Sequence, residues 1–159
     1  AYQKDKELES ACVSFELRFA QIRDLKKVLR AEAIVYGRLP LMITENCLVQ
    51  NETGCRLDRQ GPCVPEDGPC RCGQPNVLVD RTGAAFPLLP AYGHATEIQN
   101  SKPLYLADRP EHRRLGLAYA RLRFTTETAE ECVSVVQNYL DAAPAAGDFT
   151  RGLYERGVE

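Results

Sequence analysis

Cysteine distinguishes this sequence most clearly, because five of its seven cysteines lie close together. They are Cys47, Cys55, Cys63, Cys70 and Cys72, and the residues between them are rich in Gly, Pro, Asp and Arg. This composition favours an irregular loop and disfavours a helix or a buried strand. A loop that concentrates thiols in this way uses them for a metal ion, a metal–sulfur cluster or disulfides.

The spacing of these cysteines limits the kinds of metal site. It differs from the paired C-x-x-C pattern of a zinc ribbon, although four thiolates on an irregular loop can still bind tetrahedral zinc or an iron–sulfur cluster. The odd number of cysteines argues against a purely paired disulfide framework. We therefore predict a metal or cluster site, with disulfide or redox chemistry, or an incidental clustering, as the alternatives. A tetrahedral site needs four ligands, so one of the five candidates is expected to be spare; the candidates are Cys47, Cys55, Cys63, Cys70 and Cys72.

The charge and hydropathy of the chain predict a cytoplasmic protein. The first ten residues are highly charged and lack the apolar core of a signal peptide. No segment approaches the roughly 18 consecutive apolar residues that span a bilayer, so we expect no membrane partner. The net charge of −2 gives no general attraction to nucleic acids, so any basic site must be local. A reducing compartment favours metal binding over stable disulfides.

Arginine and histidine provide the other candidate site residues. Arg81 follows a predicted strand, and Arg121 and Arg123 share one face of another strand, where guanidinium groups can bind a phosphate or a carboxylate. The alternative is an ion-paired rim. His94, in a loop, is a candidate ligand or acid–base group, or else structural. His112 lies in a run of charged residues and is predicted on a solvated helix face. No Ser/His/Asp arrangement of recognisable spacing is present.

The order of predicted elements indicates an α/β fold. A strand from Ala11, a helix over 19–30 and a strand ending at Gly37 precede the cysteine-rich loop at 47–75. A hairpin then occupies 76–89, residues 90–101 are expected to be irregular, and a strand over 117–124 leads to a helix opened by Thr128 and Glu131. We predict a charged segment at 1–10, one α/β domain at 11–148 and a tail at 149–159. Strands that feed helices favour a parallel sheet or part of a barrel.

The segment 32–47, which reads Glu-Ala-Ile-Val-Tyr-Gly-Arg-Leu-Pro-Leu-Met-Ile-Thr-Glu-Asn-Cys, resembles a signature of peptidase family U32, the collagenase-like proteases. Shorter segments along most of the chain resemble the same family: 14–17, 79–81 with 86–87, 100–104, 121–127 and 149–152. Family members are much longer. The resemblance therefore implies that this chain is the second half of their barrel-like catalytic domain, a partial TIM-barrel arrangement.

The resemblance implies two kinds of activity. The family name implies peptidase activity, whereas several members resemble RNA or quinone hydroxylation factors, in which four cysteines hold a [4Fe–4S] cluster. Cys47 matches one of those cluster cysteines. The family element Gly-Ser-Leu-Cys reads Gly37-Arg-Leu-Pro40 here, so a proline replaces one family cysteine. The remaining ligands are then expected from the loop over 55–72 or from the rest of the parent protein, unless the cluster itself is altered.

Three functions follow as expectations. The first is a cluster enzyme of RNA-hydroxylation type, in which Arg81, Arg121, Arg123 and His94 bind the substrate. The second is a collagenase-like peptidase acting on a peptide. The third is a non-catalytic fragment with a zinc-stabilised loop. Half a barrel leaves sheet edges unpaired, so the expected protein partner is the remainder of the parent barrel or a second copy of the chain.

Overall fold

The computed structural model describes residues 9–53 and 74–156, and the chain divides into two compact units. The first unit contains Ala1–Arg38 and Lys102–Glu159, and the second contains Leu39–Ser101. Four of the predicted ligands lie outside the described residues: Cys55, Cys63, Cys70 and Cys72. Most of the predicted segment 1–10 and the last residues of the predicted tail also lie outside them.

The described elements alternate between strands and short helices. In chain order they are β1 (Ala11–Cys12), α1 (Phe19–Leu25), β2 (Ala31–Gly37), β3 (Pro40–Thr44), α2 (Gln50–Thr53), β4 (Asn76–Val79), β5 (Ala85–Pro90), β6 (Thr96–Gln99), β7 (Leu104–Tyr105), α3 (Pro110–Arg114), β8 (Tyr119–Leu122) and α4 (Ala129–Asp141). One turn of 3-10 helix lies at Tyr92–His94. The mixed α/β class predicted from the sequence is confirmed.

The sheet of the first unit is organised around β2. Both β1 and β8 run parallel to β2, and β7 pairs with its end in the antiparallel direction, with Gly37 opposite Leu104. The strand β2 is buried along most of its length, as expected of a central strand covered on both faces. The described strands form an open sheet and no closed barrel.

Helix α4 covers this sheet and begins where the sequence predicts. The Thr128 hydroxyl accepts a hydrogen bond from the Glu131 amide, and the Glu131 carboxylate accepts one from the Thr128 amide. This capping box satisfies two amides that a helix N-terminus otherwise leaves unpaired. The aromatic core under α4 contains Tyr36, Tyr105, Ala107 and Val135, packed against Leu122, Phe124, Tyr139, Ala145 and Phe149.

Helix α1 is shorter than the sequence predicts. The apolar spacing predicted a helix over 19–30, but α1 ends at Leu25. Only Ile22 of this helix is buried, and Val28, which the prediction placed on the apolar face, is exposed. After Leu25 the chain continues in turns, in which Leu29 is half-buried and Val28 is exposed.

The second unit is an antiparallel sheet in the order β3-β6-β5-β4. The prediction that residues 90–101 are irregular is wrong, because Thr96–Gln99 forms β6, which pairs with β3 on one side and β5 on the other. The edge strands expose consecutive aliphatic side chains, which are Leu41, Met42 and Ile43 on β3 and Val77, Leu78 and Val79 on β4. Gly83 adopts the positive φ predicted for the β4–β5 turn.

An ion pair near the end of the chain fixes part of the first unit. The Arg151 guanidinium donates two hydrogen bonds to the Asp108 carboxylate, at 2.6 and 2.8 Å, and a third to the Tyr105 carbonyl. The hydrogen bonds from Arg151 hold the pKa of Asp108 below its usual value. A bidentate pair of this kind is stronger than a single charged hydrogen bond.

This pair predicts a pH-dependent stability difference. Asp108→Asn is expected to lower the free energy of unfolding by about 1–2 kcal/mol at pH 7. Because the folded pKa is depressed, the contribution is complete above the unfolded pKa of about 3.9 and is lost as the pH falls through the folded value. Urea denaturation at several pH values checks this. Asp24→Asn is the control, since its pair with Lys27 is fully exposed and its loss should change little. A constant difference down to pH 2 would contradict the assignment.

Candidate functional site

Thr96 fixes the backbone on both sides of Cys47. Its buried hydroxyl donates a hydrogen bond to the Asn46 carbonyl at 3.1 Å and accepts one from the Leu48 amide at 3.1 Å. Thr44, at the end of β3, lies opposite Thr96 and also donates to the Asn46 carbonyl, at 2.7 Å. The position of Cys47 is therefore set by contacts between the end of β3 and the start of β6.

Cys47 is half-buried and lies against the core of the second unit. It packs on the buried cluster of Val49, Leu88 and Ile98. Its carbonyl accepts a hydrogen bond from the Gln50 amide, where α2 begins. A thiol held on a fixed backbone, partly covered and partly open, has the access that a metal ligand needs.

His94 lies at the end of the sheet where β3 leads into Cys47. It is half-buried, ends the 3-10 turn between β5 and β6, and has a φ of 65°. Pro90, at the end of β5, pairs with Thr96, so the turn that carries His94 begins and ends beside the threonine that fixes Cys47. The structure thus places the turn of His94 and the segment of Cys47 at the same end of this sheet.

After the cysteine-rich segment the chain re-enters the sheet at the same end, but in β4, the outer strand opposite β3. Asn76, the first residue of β4, pairs with Leu88 near the end of β5. The side-chain amide of Asn76 donates a hydrogen bond to the Gln74 carbonyl at 2.7 Å. In the sequence, Cys55, Cys63, Cys70 and Cys72 all lie between Cys47 and Gln74. In residues 9–53 and 74–156, no three His, Cys, Asp or Glu side chains are grouped so as to hold a metal. A metal bound to Cys47 would therefore need ligands from beyond the described residues.

Arg121 belongs to the first unit and forms an ion pair with Glu32 across the β2–β8 ladder. The hydrogen bond and charge of Glu32 raise the pKa of Arg121. Burial and the charge of Glu32 raise the pKa of the nearby Cys12 thiol. Arg123 donates a hydrogen bond to the Arg38 carbonyl at 2.8 Å. Both guanidinium groups therefore already have partners within the chain.

Arg81 belongs to the second unit and lies in the exposed turn between β4 and β5. The preceding carboxylate, Asp80, accepts hydrogen bonds from the Thr82 amide and hydroxyl and from the Ala84 amide. These hydrogen bonds lower the pKa of Asp80. The turn is thus well ordered by Asp80, and a role of Arg81 in substrate binding stays a prediction.

His112 is the titratable residue whose environment the sequence did not reveal. The prediction of a solvated position is wrong, because only 6% of His112 is exposed. Burial lowers the pKa of its imidazole. The spacing of three residues to Leu115, which is also buried, is the helical pattern that could have identified this face of α3.

Within the part of the chain that the structure describes, no helix combines the length and apolar character needed to cross a membrane. The comparisons with known proteins leave the similarity to peptidase family U32 as an interpretation of the sequence. The chain matches no protein-family model, no curated protein and no solved structure.

Proposed function

We propose that this chain is part of a U32 peptidase-like protein in which Cys47 anchors a cysteine-ligated iron–sulfur cluster. The parent protein is then an enzyme of RNA-hydroxylation type. The observation that supports the proposal is the end of the second unit's sheet, where β3 leads into Cys47, the turn of His94 joins β5 to β6, and β4 begins after Gln74. The other four clustered cysteines lie in the sequence between Cys47 and Gln74.

The donor set fits a metal–sulfur centre. Thiolates are the ligands that iron–sulfur clusters use, and zinc also binds them. Cys47 and three of Cys55, Cys63, Cys70 and Cys72 are the proposed ligands of a [4Fe–4S] cluster, with zinc as the alternative. When bound, the cluster supplies redox chemistry. His94, at the end of the sheet where Cys47 lies, is proposed to hold or move a proton for a substrate bound there.

The arginines of each unit are proposed separately as contacts for anionic groups, with Arg81 in the second unit and Arg121 and Arg123 in the first. Arg81, Arg121 and Arg123 each carry a permanent charge that suits an RNA phosphate or a carboxylate donor. In this proposal Arg121 keeps its ion pair with Glu32, whose side chain is only 13% exposed, and contacts the substrate with the exposed part of its guanidinium.

The proposed parent architecture accounts for the open edges. In it, β1, β2 and β8 are parallel strands of half a TIM-like barrel. The exposed aliphatic side chains of β3 and β4 are then covered by the rest of the parent protein or by a second copy of the chain. Exposed apolar edge strands otherwise favour aggregation.

Metal analysis of the anaerobically purified protein tests the cluster. Iron and sulfide in equal amounts, with broad absorption near roughly 400 nm, are expected of a cluster with thiolate ligands. A colourless protein with one zinc ion would instead favour the structural fragment. The absence of bound iron, sulfide and zinc would contradict both functions. An activity that cleaves denatured collagen, and that copurifies with the chain in independent purifications, would favour the peptidase.

Cys47→Ser is expected to remove most of the bound metal, because serine is a poor ligand for iron–sulfur clusters and zinc. The matched control is Cys132→Ser, since Cys132 lies on α4 in the other unit and is also half-buried. Metal content per chain and the visible absorption spectrum provide the measurement. Equal metal content in both variants and in the unsubstituted chain would exclude Cys47 as a ligand.

A further inference from the structure

A cavity of about 450 Å³ lies beside α3, β8 and α4 in the first unit. Leu117, Leu122 and Leu140 provide apolar side chains to its lining, and His112 and Arg113 provide polar ones. Sites for small ligands commonly have this size and this combination of apolar walls with a few polar groups. The proposed cluster chemistry uses none of these residues.

His112 is buried in the wall of this cavity. Its ring packs edge-on against Tyr139, with 6.1 Å between the ring centroids. Nδ1 is closed to solvent, and the backbone of Arg109 lies close enough to favour the protonated ring. The His112 ring therefore forms part of the wall, and its Nδ1 is out of reach of a ligand in the cavity.

Arg113 gives the cavity a positive charge at its exposed side. One nitrogen of its guanidinium donates to the Tyr139 carbonyl, and the group has five N–H donors in all. The Tyr139 hydroxyl is already used twice, since it donates to the Val35 carbonyl and accepts from the Leu106 amide. Recognition of a polar ligand group therefore depends on Arg113.

We propose that this cavity binds a small amphipathic carboxylate. Its alkyl or aryl body packs against Leu117, Leu122 and Leu140, and its carboxylate accepts hydrogen bonds from the Arg113 guanidinium beside the wall formed by the His112 ring. The positive charge of Arg113 selects an anion, and the apolar walls select against small, fully hydrated anions.

Calorimetric titration of the whole chain with octanoate tests the proposal. Octanol and octylamine have an alkyl chain of the same length but no carboxylate. Both are expected to bind at least about tenfold more weakly than octanoate. Arg113→Gln is expected to weaken octanoate binding by about tenfold, whereas Arg114→Gln, the exposed neighbour outside the lining, should change it less than about twofold. Equal effects of the two substitutions would show that only the general charge of α3 matters and would overturn the proposal.

The apolar wall has its own matched pair of variants. Leu140 and Val133 are both 70% exposed on α4, but only Leu140 lines the cavity. Leu140→Asn is expected to weaken octanoate binding by about fivefold, and Val133→Asn should leave it unchanged, with both variants folded because neither residue is buried. Failure of octanoate to bind at millimolar concentration, or equal losses in both variants, would overturn the proposal.

Discussion

Gly37→Ala is expected to lower the free energy of unfolding by about 3 kcal/mol or more, or to prevent folding. Gly37 ends β2 with a φ of 116°, a conformation that alanine adopts only with strain. A Cβ atom built there would also overlap the Arg123 backbone carbonyl. Because this obstacle is backbone and not the end of a flexible side chain, relief requires the ends of β2 and β8 to separate.

Gly83→Ala is the matched control for that substitution. Gly83 also has a positive φ, of 85°, but a Cβ atom there would meet nothing within 4 Å. Its substitution should therefore cost only about 1–2 kcal/mol, from backbone strain alone. Urea denaturation followed by far-ultraviolet circular dichroism compares the two variants. Equal losses of stability would show that strain alone, and not the close approach of Arg123, accounts for the requirement for glycine at position 37.

Tyr139→Phe is expected to cost about 2–3 kcal/mol of folding free energy. The Tyr139 hydroxyl joins three elements, because it donates to the Val35 carbonyl on β2 and accepts from the Leu106 amide just after β7. Burial raises the pKa of this hydroxyl, which stays protonated and able to donate. Removing it leaves a backbone donor and a backbone acceptor in the core without their partner, and each costs more than an exposed group would.

Tyr92→Phe is the control, because Tyr92 is fully exposed and its hydroxyl makes no hydrogen bond to a described residue. This substitution should change stability by less than about 0.5 kcal/mol. A loss below about 0.5 kcal/mol for Tyr139→Phe as well would mean that water replaces the missing hydroxyl and that the buried network is less important than the geometry indicates.

Local sequence rules predicted those parts of the fold that short-range contacts determine. Thr128 and Glu131 form their capping box because both partners lie within one helical turn. Gly83 takes its positive φ because the adjoining turn demands it. Strand β6 was not predicted because its four residues, Thr96–Gln99, are stabilised by pairing with β3 as well as with β5. The partner β3 lies 52 positions earlier in the sequence where Thr44 pairs with Thr96.

The candidate site shows the same division between local and long-range information. The sequence singled out Cys47 and His94 from their residue types, but their common location depends on the Thr96 hydroxyl, which joins segments about 50 positions apart. The burial of His112 depends on α4 packing beside α3. Its charged neighbours in the sequence indicated a solvated position instead. Long-range packing of this kind leaves little trace in local composition.

The pairing of Gly37 with Leu104 has a consequence for how this protein can be engineered. The chain leaves the first unit after Arg38 and re-enters it at Lys102, and the residues just outside those points are neighbours in one antiparallel ribbon. The whole second unit therefore occupies the place of a hairpin loop. A short Asn-Gly linker has the right span to replace it, so we expect that the second unit can be deleted and the ends of the first unit joined directly.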